Sequence, residues 1–277
     1  MVLHILAGAA RSPFKRTPGA GAPLSAPPLV RKGVQLGSQK LAPYARICGF
    51  DRAAPVPLPY PHLLGFPLAM RIMAARDFPL PLLGLVHTGI EITQRRALSP
   101  AEKVDVTVYA DGLREHRRGT EVEMVTEVRA HDDVPGGAAE PVWESRSTYL
   151  ARTASRTRAD PPKGTPDAPA PTARWDLPGD LGRRYGRVSG DLNPIHLSPL
   201  TARPFGFRRP IAHGMWTFAR CVAEVEPAEA AHVRADFRAP VLLPARVSYA
   251  ATGDGGFELR GTDGRLHLRG SATALLG

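Results

Sequence analysis

The sequence predicts a mixed α and β protein of two similar halves, each with one long helix packed against an antiparallel sheet. Three observations support this fold class. Each half has one apolar helical segment followed by short segments that alternate apolar and polar residues, as strands with one covered face do. The 29 prolines and 27 glycines of the 277-residue chain interrupt it too often for a helical bundle. The two halves also match each other in sequence.

The internal repeat is clearest at a tyrosine and a histidine. The segment "YARICGF" begins at Tyr44 and "YGRVSGD" begins at Tyr185, 141 positions later, with Tyr, Arg, an aliphatic residue and Gly in register. Further along the chain, His62 aligns with His213. Each half is therefore predicted to be one copy of the same fold. Two copies that pair edge to edge would form a continuous sheet and protect one edge of each.

Within each half, the shared histidine precedes a helix, and the helix precedes several strands. Residues 63–73 and 215–225 are apolar with few helix breakers, which predicts a buried helix in each half. The predicted strands of the first half are "VHTGIEITQ", "KVDVTVYA" and "EVEMVTEVRA". Those of the second half are "HVRADFRAP", "RVSYAAT", "FELRG" and "LHLRGSATAL".

A proline-rich segment separates the halves. Residues 151–174 read "ARTASRTRADPPKGTPDAPAPTAR", with no aromatic residue before the final arginine and little that a core would bury. This composition is typical of a linker. The predicted domains are therefore residues 1–150 and residues 175–277, joined by the linker.

Composition argues against several classes of protein. No stretch approaches the roughly 20 apolar residues of a membrane helix, and "MVLHILAGAA" lacks the basic region of a secretory signal, so we expect a cytoplasmic protein without membrane insertion. Cys48 and Cys221 are too few for a disulfide framework, and no residues have the spacing of a metal site. The formal net charge of +10 favours polyanionic partners. No DNA- or RNA-binding motif supports nucleic acid as that partner.

The segment "GDLNPIHLSP", residues 190–199, places an acid, a carboxamide and an imidazole within six positions. These are Asp191, Asn193 and His196. Gly-Asp and Asn-Pro are ordinary turn dipeptides, so local composition alone favours a surface turn with an incidental histidine. The surrounding sequence changes this interpretation.

The longer segments "YGRVSGDLNPIHLSP" and "FGFRRPIAHGMW" resemble the signature of the MaoC-like, or type 2, enoyl-thioester hydratases and dehydratases. That signature is a Tyr, then Gly-Asp-x-Asn-Pro-x-His, then a helix introduced by His-Gly-Met. The first half is similar to the degenerate partner domain of two-domain members, so the resemblance covers nearly the whole chain after about residue 30. It implies an α+β double hot-dog fold, in which each repeat is a long helix wrapped by an antiparallel sheet.

The resemblance also implies a hydro-lyase of fatty-acid metabolism that interconverts trans-2-enoyl and (R)-3-hydroxyacyl thioesters of coenzyme A or acyl carrier protein. Asp191 and His196 are implied as the catalytic pair, with Asn193 orienting the loop. One group must take a proton from water at C3 and another must deliver a proton at C2. Because the thioester carbonyl stabilises charge at C2, we expect no metal and no organic cofactor. Which residue is the base and which the acid is left open.

Four further residues are candidates for the site. The N–H of Gly214 would lie at a helix N-terminus and could stabilise the enolate oxygen, while a packing role is the alternative. Arg187, Arg208 and Arg209 are candidates for binding coenzyme A phosphates or an acidic carrier protein, and a solvated basic face is an equally good interpretation. His213 is expected to be structural, since the half without the catalytic pair has a matching histidine.

One catalytic site per chain is expected, because Phe50 occupies the register of Asp191 and no Asn-Pro-x-His follows it. The alternative function is a non-catalytic module that binds acyl thioesters. The intact pair of Asp191 and His196 argues against that alternative. Acyl chain length, the direction of the reaction and the oligomeric state, a homodimer included, are left open.

Overall fold

An antiparallel sheet of ten strands runs through the described part of the protein. The computed structural model describes Leu24 and residues 26–131, 140–152 and 168–275. The strands are β1 (Leu29–Gln35), β2 (Leu85–Gln94), β3 (Lys103–His116), β4 (Gly119–Ala130), β5 (Trp143–Arg152), β6 (Ala173–Leu177), β7 (Ala231–Phe237), β8 (Ala245–Ala251), β9 (Gly256–Gly261) and β10 (Leu266–Ala274). Their order in the sheet is β1-β3-β4-β5-β2-β7-β10-β9-β8-β6.

Five α-helices accompany the sheet within these ranges. They are α1 (Leu41–Cys48), α2 (Pro61–Ala74), α3 (Leu181–Ser189), α4 (Pro199–Ala202) and α5 (Gly214–Val225), with 3₁₀ turns at Pro194–His196 and Arg203–Phe205. Helices α2 and α5 are the predicted long helices of the two halves. No helix in the described ranges is long and apolar enough to cross a membrane.

The two halves meet where β2 pairs with β7. Ile90 lies opposite Ala235 and Ile92 opposite Val233, and the strand order on one side of this pair mirrors the order on the other. The predicted pair of repeats in one continuous sheet is therefore confirmed. All four residues are buried, so the junction lies within the core and not at its surface.

Each long helix buries apolar side chains against the sheet. Helix α2 contributes Leu68, Ile72 and Met73 to the core, and α5 contributes Phe218 and Val222. These belong to one continuous cluster that includes buried residues from both halves. Because the cluster is shared, each half stabilises the other.

Three strands were not predicted from the sequence: β1, β5 and β6. In β5, the inward-facing positions include Ser145 and Ser147, both 1% exposed, so the strand lacks the alternation of apolar and polar residues. The predicted linker was too long at both ends, because β5 extends to Arg152 and β6 begins at Ala173. Strand β5 pairs with β4, and β6 pairs with β8, so backbone hydrogen bonds extend the sheet into both ends of the segment predicted as a linker. The middle of the predicted linker lies outside the described residues.

Candidate active site

The catalytic candidates lie on a tight turn that follows α3. The helix ends at Gly190, whose φ of 83° is a left-handed conformation that glycine adopts without steric cost. Beyond it, Asp191 Oδ1 accepts the N–H of Asn193 at 3.1 Å, and Asn193 Oδ1 accepts the N–H of Ile195 at 3.3 Å. Asn193 therefore closes the turn, which agrees with a loop-orienting role.

Two glycines of α3 allow this turn to lie directly against the helix. A Cβ atom at Gly182 would overlap the backbone carbonyl of His196, and one at Gly186 would lie 2.8 Å from the carbonyl oxygen of Asp191. Neither contact was predicted from the sequence. Two glycines four residues apart in a helix are the signal, because each costs about 1 kcal/mol relative to alanine and indicates a close contact on one face.

His196 is buried and held in a single tautomer. Its side chain is 7% exposed, and Nδ1 lies 2.8 Å from the carbonyl oxygen of Ile211. A carbonyl oxygen only accepts, so Nδ1 carries the hydrogen and Nε2 carries a lone pair. Burial lowers the pKa of His196, partly offset by the nearby charge of Asp191. At neutral pH the ring is therefore neutral, and Nε2 can accept a proton.

His213 connects the turn to the start of α5. Its Nε2 donates to the backbone carbonyl of Asp191 at 3.0 Å and lies 3.7 Å from Asp191 Oδ2. Its ring stacks on that of His196, with centroids 3.6 Å apart. Burial, with a smaller contribution from His196, lowers the pKa of His213 to about 3. The contact with the carbonyl supports the structural role expected of this residue, since it holds the turn in place.

Gly214 is the first residue of α5, next to His213 at the helix N-cap. Its N–H is among the first four of the helix, which have no partner inside the helix. A Cβ atom at Gly214 would lie 3.1 Å from Cε1 of Phe237. Both interpretations offered by the sequence therefore have a structural basis, because the glycine permits close packing and also presents an N–H at a helix N-terminus.

His87 and Tyr149 of the first half pack with Phe237 of the second half in an aromatic cluster that was not predicted from the sequence. The ring of His87 on β2 lies 4.6 Å from that of Tyr149 on β5 and 4.9 Å from that of Phe237 on β7. Burial is the largest cause that raises the pKa of Tyr149, and the negative charge of Asp191 raises it further. The same charge raises the pKa of His87, against the larger lowering by burial. A lone histidine in an alternating strand gives no local signal that its ring will pack against aromatic residues of two other strands.

The three arginine candidates are all exposed on the segments that flank the turn. Arg187 is in the last turn of α3 and is exposed. Arg208 and Arg209 are exposed between the second 3₁₀ turn and α5, and Arg209 donates to the carbonyl of Pro244 at 3.2 Å. The structure thus brings the catalytic candidates together and leaves the arginines on the surface.

Asp191, His196 and His213 each offer one possible metal-ligand atom, and these atoms lie within 4.8 Å of one another. Each imidazole uses one nitrogen to donate to a backbone carbonyl, which leaves its other nitrogen as the possible ligand. The same three groups also suit proton transfer, which requires no metal.

Comparison with known proteins decides the family. The family described as MaoC like domain matches residues 159–262. The chain is 39% identical over 225 residues to 3-hydroxyacyl-thioester dehydratase X of Mycobacterium tuberculosis (strain ATCC 25618 / H37Rv), an alignment that covers 79% of this chain and 78% of that protein. The chain belongs to the MaoC-like dehydratase family.

Solved structures of MaoC-like proteins share the fold. The crystal structure of HtdX of Mycobacterium tuberculosis is similar with a TM-score of 0.76 and 34% identity, over 90% of this chain and 100% of that chain. A MaoC-like dehydratase from Phytophthora capsici has a TM-score of 0.69 at 19% identity, over 93% of this chain and 98% of that chain. The resemblance, the double hot-dog fold and the assignment of this MaoC-like chain to the hydro-lyases are confirmed.

Proposed function

We propose that this MaoC-like chain catalyses the reversible hydration of trans-2-enoyl thioesters to (R)-3-hydroxyacyl thioesters in fatty-acid metabolism. The observation that carries the proposal is the Asp191 carboxylate beside a neutral, tautomerically fixed His196 on one turn that follows α3. The relative from Mycobacterium tuberculosis, whose name is 3-hydroxyacyl-thioester dehydratase X, supports the substrate class. The stereochemistry is that of the family.

In the proposed mechanism, a water molecule lies between Asp191 and His196. The water oxygen bonds to C3 while His196 Nε2 takes one of its protons, and the Asp191 carboxylate accepts the other O–H and orients the water. The transient imidazolium is stabilised by the neighbouring carboxylate and returns its proton to C2. The Gly214 N–H donates to the enolate oxygen that forms between these two steps. Dehydration follows the same path in reverse.

The thioester is proposed to be held outside this turn by its phosphate-bearing end or by a carrier protein. Arg187, Arg208 and Arg209 are exposed cations on the segments that flank the turn. Guanidinium groups bind phosphate oxygens through charge-assisted hydrogen bonds. They would serve coenzyme A or the acidic surface of an acyl carrier protein equally well.

The test is hydration of crotonyl-CoA, followed by the loss of absorbance of its conjugated double bond. We expect Asp191→Asn and His196→Ala each to lower kcat by about 100-fold or more. Asn at position 191 keeps an oxygen for the N–H of Asn193, so the turn is retained. Asp180→Asn is the matched control, because Asp180 is the N-cap of α3 but caps with no side-chain hydrogen bond.

The control variant should retain wild-type activity, and all variants should keep the wild-type circular dichroism spectrum. A variant at position 191 or 196 with more than about a tenth of wild-type kcat would remove that residue from the mechanism. Wild-type protein that binds crotonyl-CoA without converting it would instead favour the non-catalytic acyl-thioester-binding module.

A further inference from the structure

His87 has a ring nitrogen for which the described residues provide no hydrogen-bond partner. This atom, Nε2, is fully enclosed. Burial lowers the pKa of His87 to about 3, so the ring is neutral and one of its two nitrogens is an acceptor. A hydrogen bond with the backbone of Gly89 makes a smaller, opposite contribution to this pKa. A contact that favours the charged imidazole is one in which a ring N–H donates to a carbonyl oxygen. Nδ1 therefore carries the hydrogen, and Nε2 is an acceptor without a donor.

The position of His87 on β2 directs its ring toward the active site. The pairing of β2 with β5 changes register between His87 and Gly89, and such bulges re-aim side chains and are common beside active sites. The ring packs between those of Tyr149 and Phe237, and Phe237 in turn covers Gly214 at the start of α5. His87 is thus linked by direct packing to the helix terminus proposed to stabilise the enolate.

Two other histidines in the described ranges have a hydrogen-bond partner at the ring, whereas Nδ1 of His213, like Nε2 of His87, has none. His62, from the same half, bonds Ser145 Oγ at 3.2 Å, and His196 bonds the Ile211 carbonyl at 2.8 Å. A buried acceptor without a donor costs on the order of 1 to 3 kcal/mol. Native structures rarely retain such a group without a reason, and a donor that arrives with a ligand is one such reason.

The chemistry of the substrate limits which donor this is. In the proposed mechanism, Asp191 and His196 take up both O–H bonds of the reacting water. The enoyl group and the thioester contain no N–H or O–H. The next donor along a coenzyme A or carrier-protein thioester is the first amide N–H of the pantetheine arm, two carbons from sulfur. Exposed Leu83 precedes β2 by two positions, so His87 lies near the surface end of the strand, where this arm would enter.

We propose that His87 Nε2 accepts a hydrogen bond from the first amide N–H of the pantetheine arm, so that the first half positions the thioester over the catalytic turn. This inference rests on the proposed function and extends it. It gives the degenerate half a binding role in addition to its role in folding. In this proposal, His87 touches the substrate but not the reacting atoms.

The test compares two small crotonyl thioesters in the hydration assay. One is the N-acetylcysteamine thioester, which has the amide, and the other is its ketone analogue, in which CH₂ replaces NH. We expect wild-type kcat/KM to be about 10-fold higher for the amide. His87→Phe keeps the ring shape without the acceptor and should reduce this ratio to about 1. His87→Gln retains an acceptor of similar reach and should keep part of the preference.

His62→Phe is the matched control, because it removes a buried histidine from the same half whose Nδ1 is already bonded to Ser145. It should leave the ratio of the two substrates at the wild-type value. Equal wild-type kcat/KM for the two thioesters, or an equal loss on both in His87→Phe, would overturn the role of His87 while hydration itself stands. Failure of the wild-type protein to hydrate either thioester or crotonyl-CoA would instead overturn the proposed function.

Discussion

Gly182 and Gly186 determine how closely α3 approaches the catalytic turn, which is the turn of residues 190–196 that carries the proposed catalytic pair. They lie on one face of the helix, and each faces a backbone carbonyl of the turn. The corresponding positions of the first half, 141 residues earlier, are Leu41 and Ala45. Side chains at these positions would collide with a turn placed as in the second half. The loss of the catalytic turn and the presence of larger residues on the helix therefore agree with each other.

Gly182→Ala is predicted to damage both activity and stability. The added methyl group overlaps the His196 carbonyl, so the turn must move away from α3. Overpacking of this kind costs about 1 to 3 kcal/mol, and a displacement of about 1 Å at a catalytic group can lower the rate about 100-fold. Urea denaturation and the crotonyl-CoA assay measure the two effects.

Gly179→Ala is the control for this prediction. Gly179 is exposed just before α3, and a Cβ atom there would meet Pro244 Cδ at 3.7 Å, an ordinary contact. This variant should behave as the wild type in both measurements. Wild-type kcat in Gly182→Ala would show that the turn does not need its close contact with the helix.

At the scale of elements, the segment between α3 and α5 distinguishes the two halves. Ten more residues separate Tyr185 from His213 than separate Tyr44 from His62. These extra residues form the 3₁₀ turns and α4, and Thr201 Oγ1 fixes them by donating to the carbonyl of Pro194 at 2.7 Å. The turn with Asp191 and His196 and two of the arginine candidates therefore lie in the segment that is longer in the second half.

The double charge reversal Arg208→Glu with Arg209→Glu is predicted to raise KM for crotonyl-CoA about 10-fold at low salt and to leave kcat nearly unchanged. Contacts with the phosphates bind substrate and transition state alike, so they affect KM. Added salt should reduce the difference from the wild type, because it screens exposed charges.

The matched control is Arg31→Glu with Lys32→Glu, the same change of charge on β1. That strand is an edge of the sheet, four strands away from β2 at the junction. The control separates a local phosphate contact from the effect of net charge. If both double variants raise KM equally, or neither does, the arginines form only a solvated basic face.

At the scale of the whole molecule, the two halves pack as one structural unit. They share the core cluster and the β2–β7 pair, and Trp216 Nε1 on α5 donates to the carbonyl of Ile47 on α1 at 2.9 Å. The core also encloses histidines from both halves. Burial lowers the pKa of His62 to about 4, and burial lowers the pKa values of His87 and His213 to about 3.

The free energy of unfolding is predicted to fall as the pH decreases below 6.5. Between about 4 and the ordinary histidine pKa of 6.5, the unfolded chain binds protons at these three histidines and the folded protein does not. Each histidine then contributes a loss of about 1.4 kcal/mol per pH unit. Urea denaturation at pH values of about 7.5, 6.5 and 5.5 measures the slope.

His62→Phe should reduce that slope by the contribution of one histidine. A free energy of unfolding that is the same at all three pH values would show that the folded and unfolded chains bind protons at these histidines equally. In that case the lowered pKa values assigned to the buried imidazoles would be wrong.

The sequence by itself determined the features that depend on neighbouring residues. The repeat, the two long helices and the turn with Asp191, Asn193 and His196 were predicted, because helix periodicity and turn chemistry are local. Tertiary structure decided the rest. Strand β5 forms around buried serines because β2 and β4 pair with it, and His87 packs against Phe237 only because β2 meets β7. Such contacts join residues distant along the chain, and no local pattern specifies them.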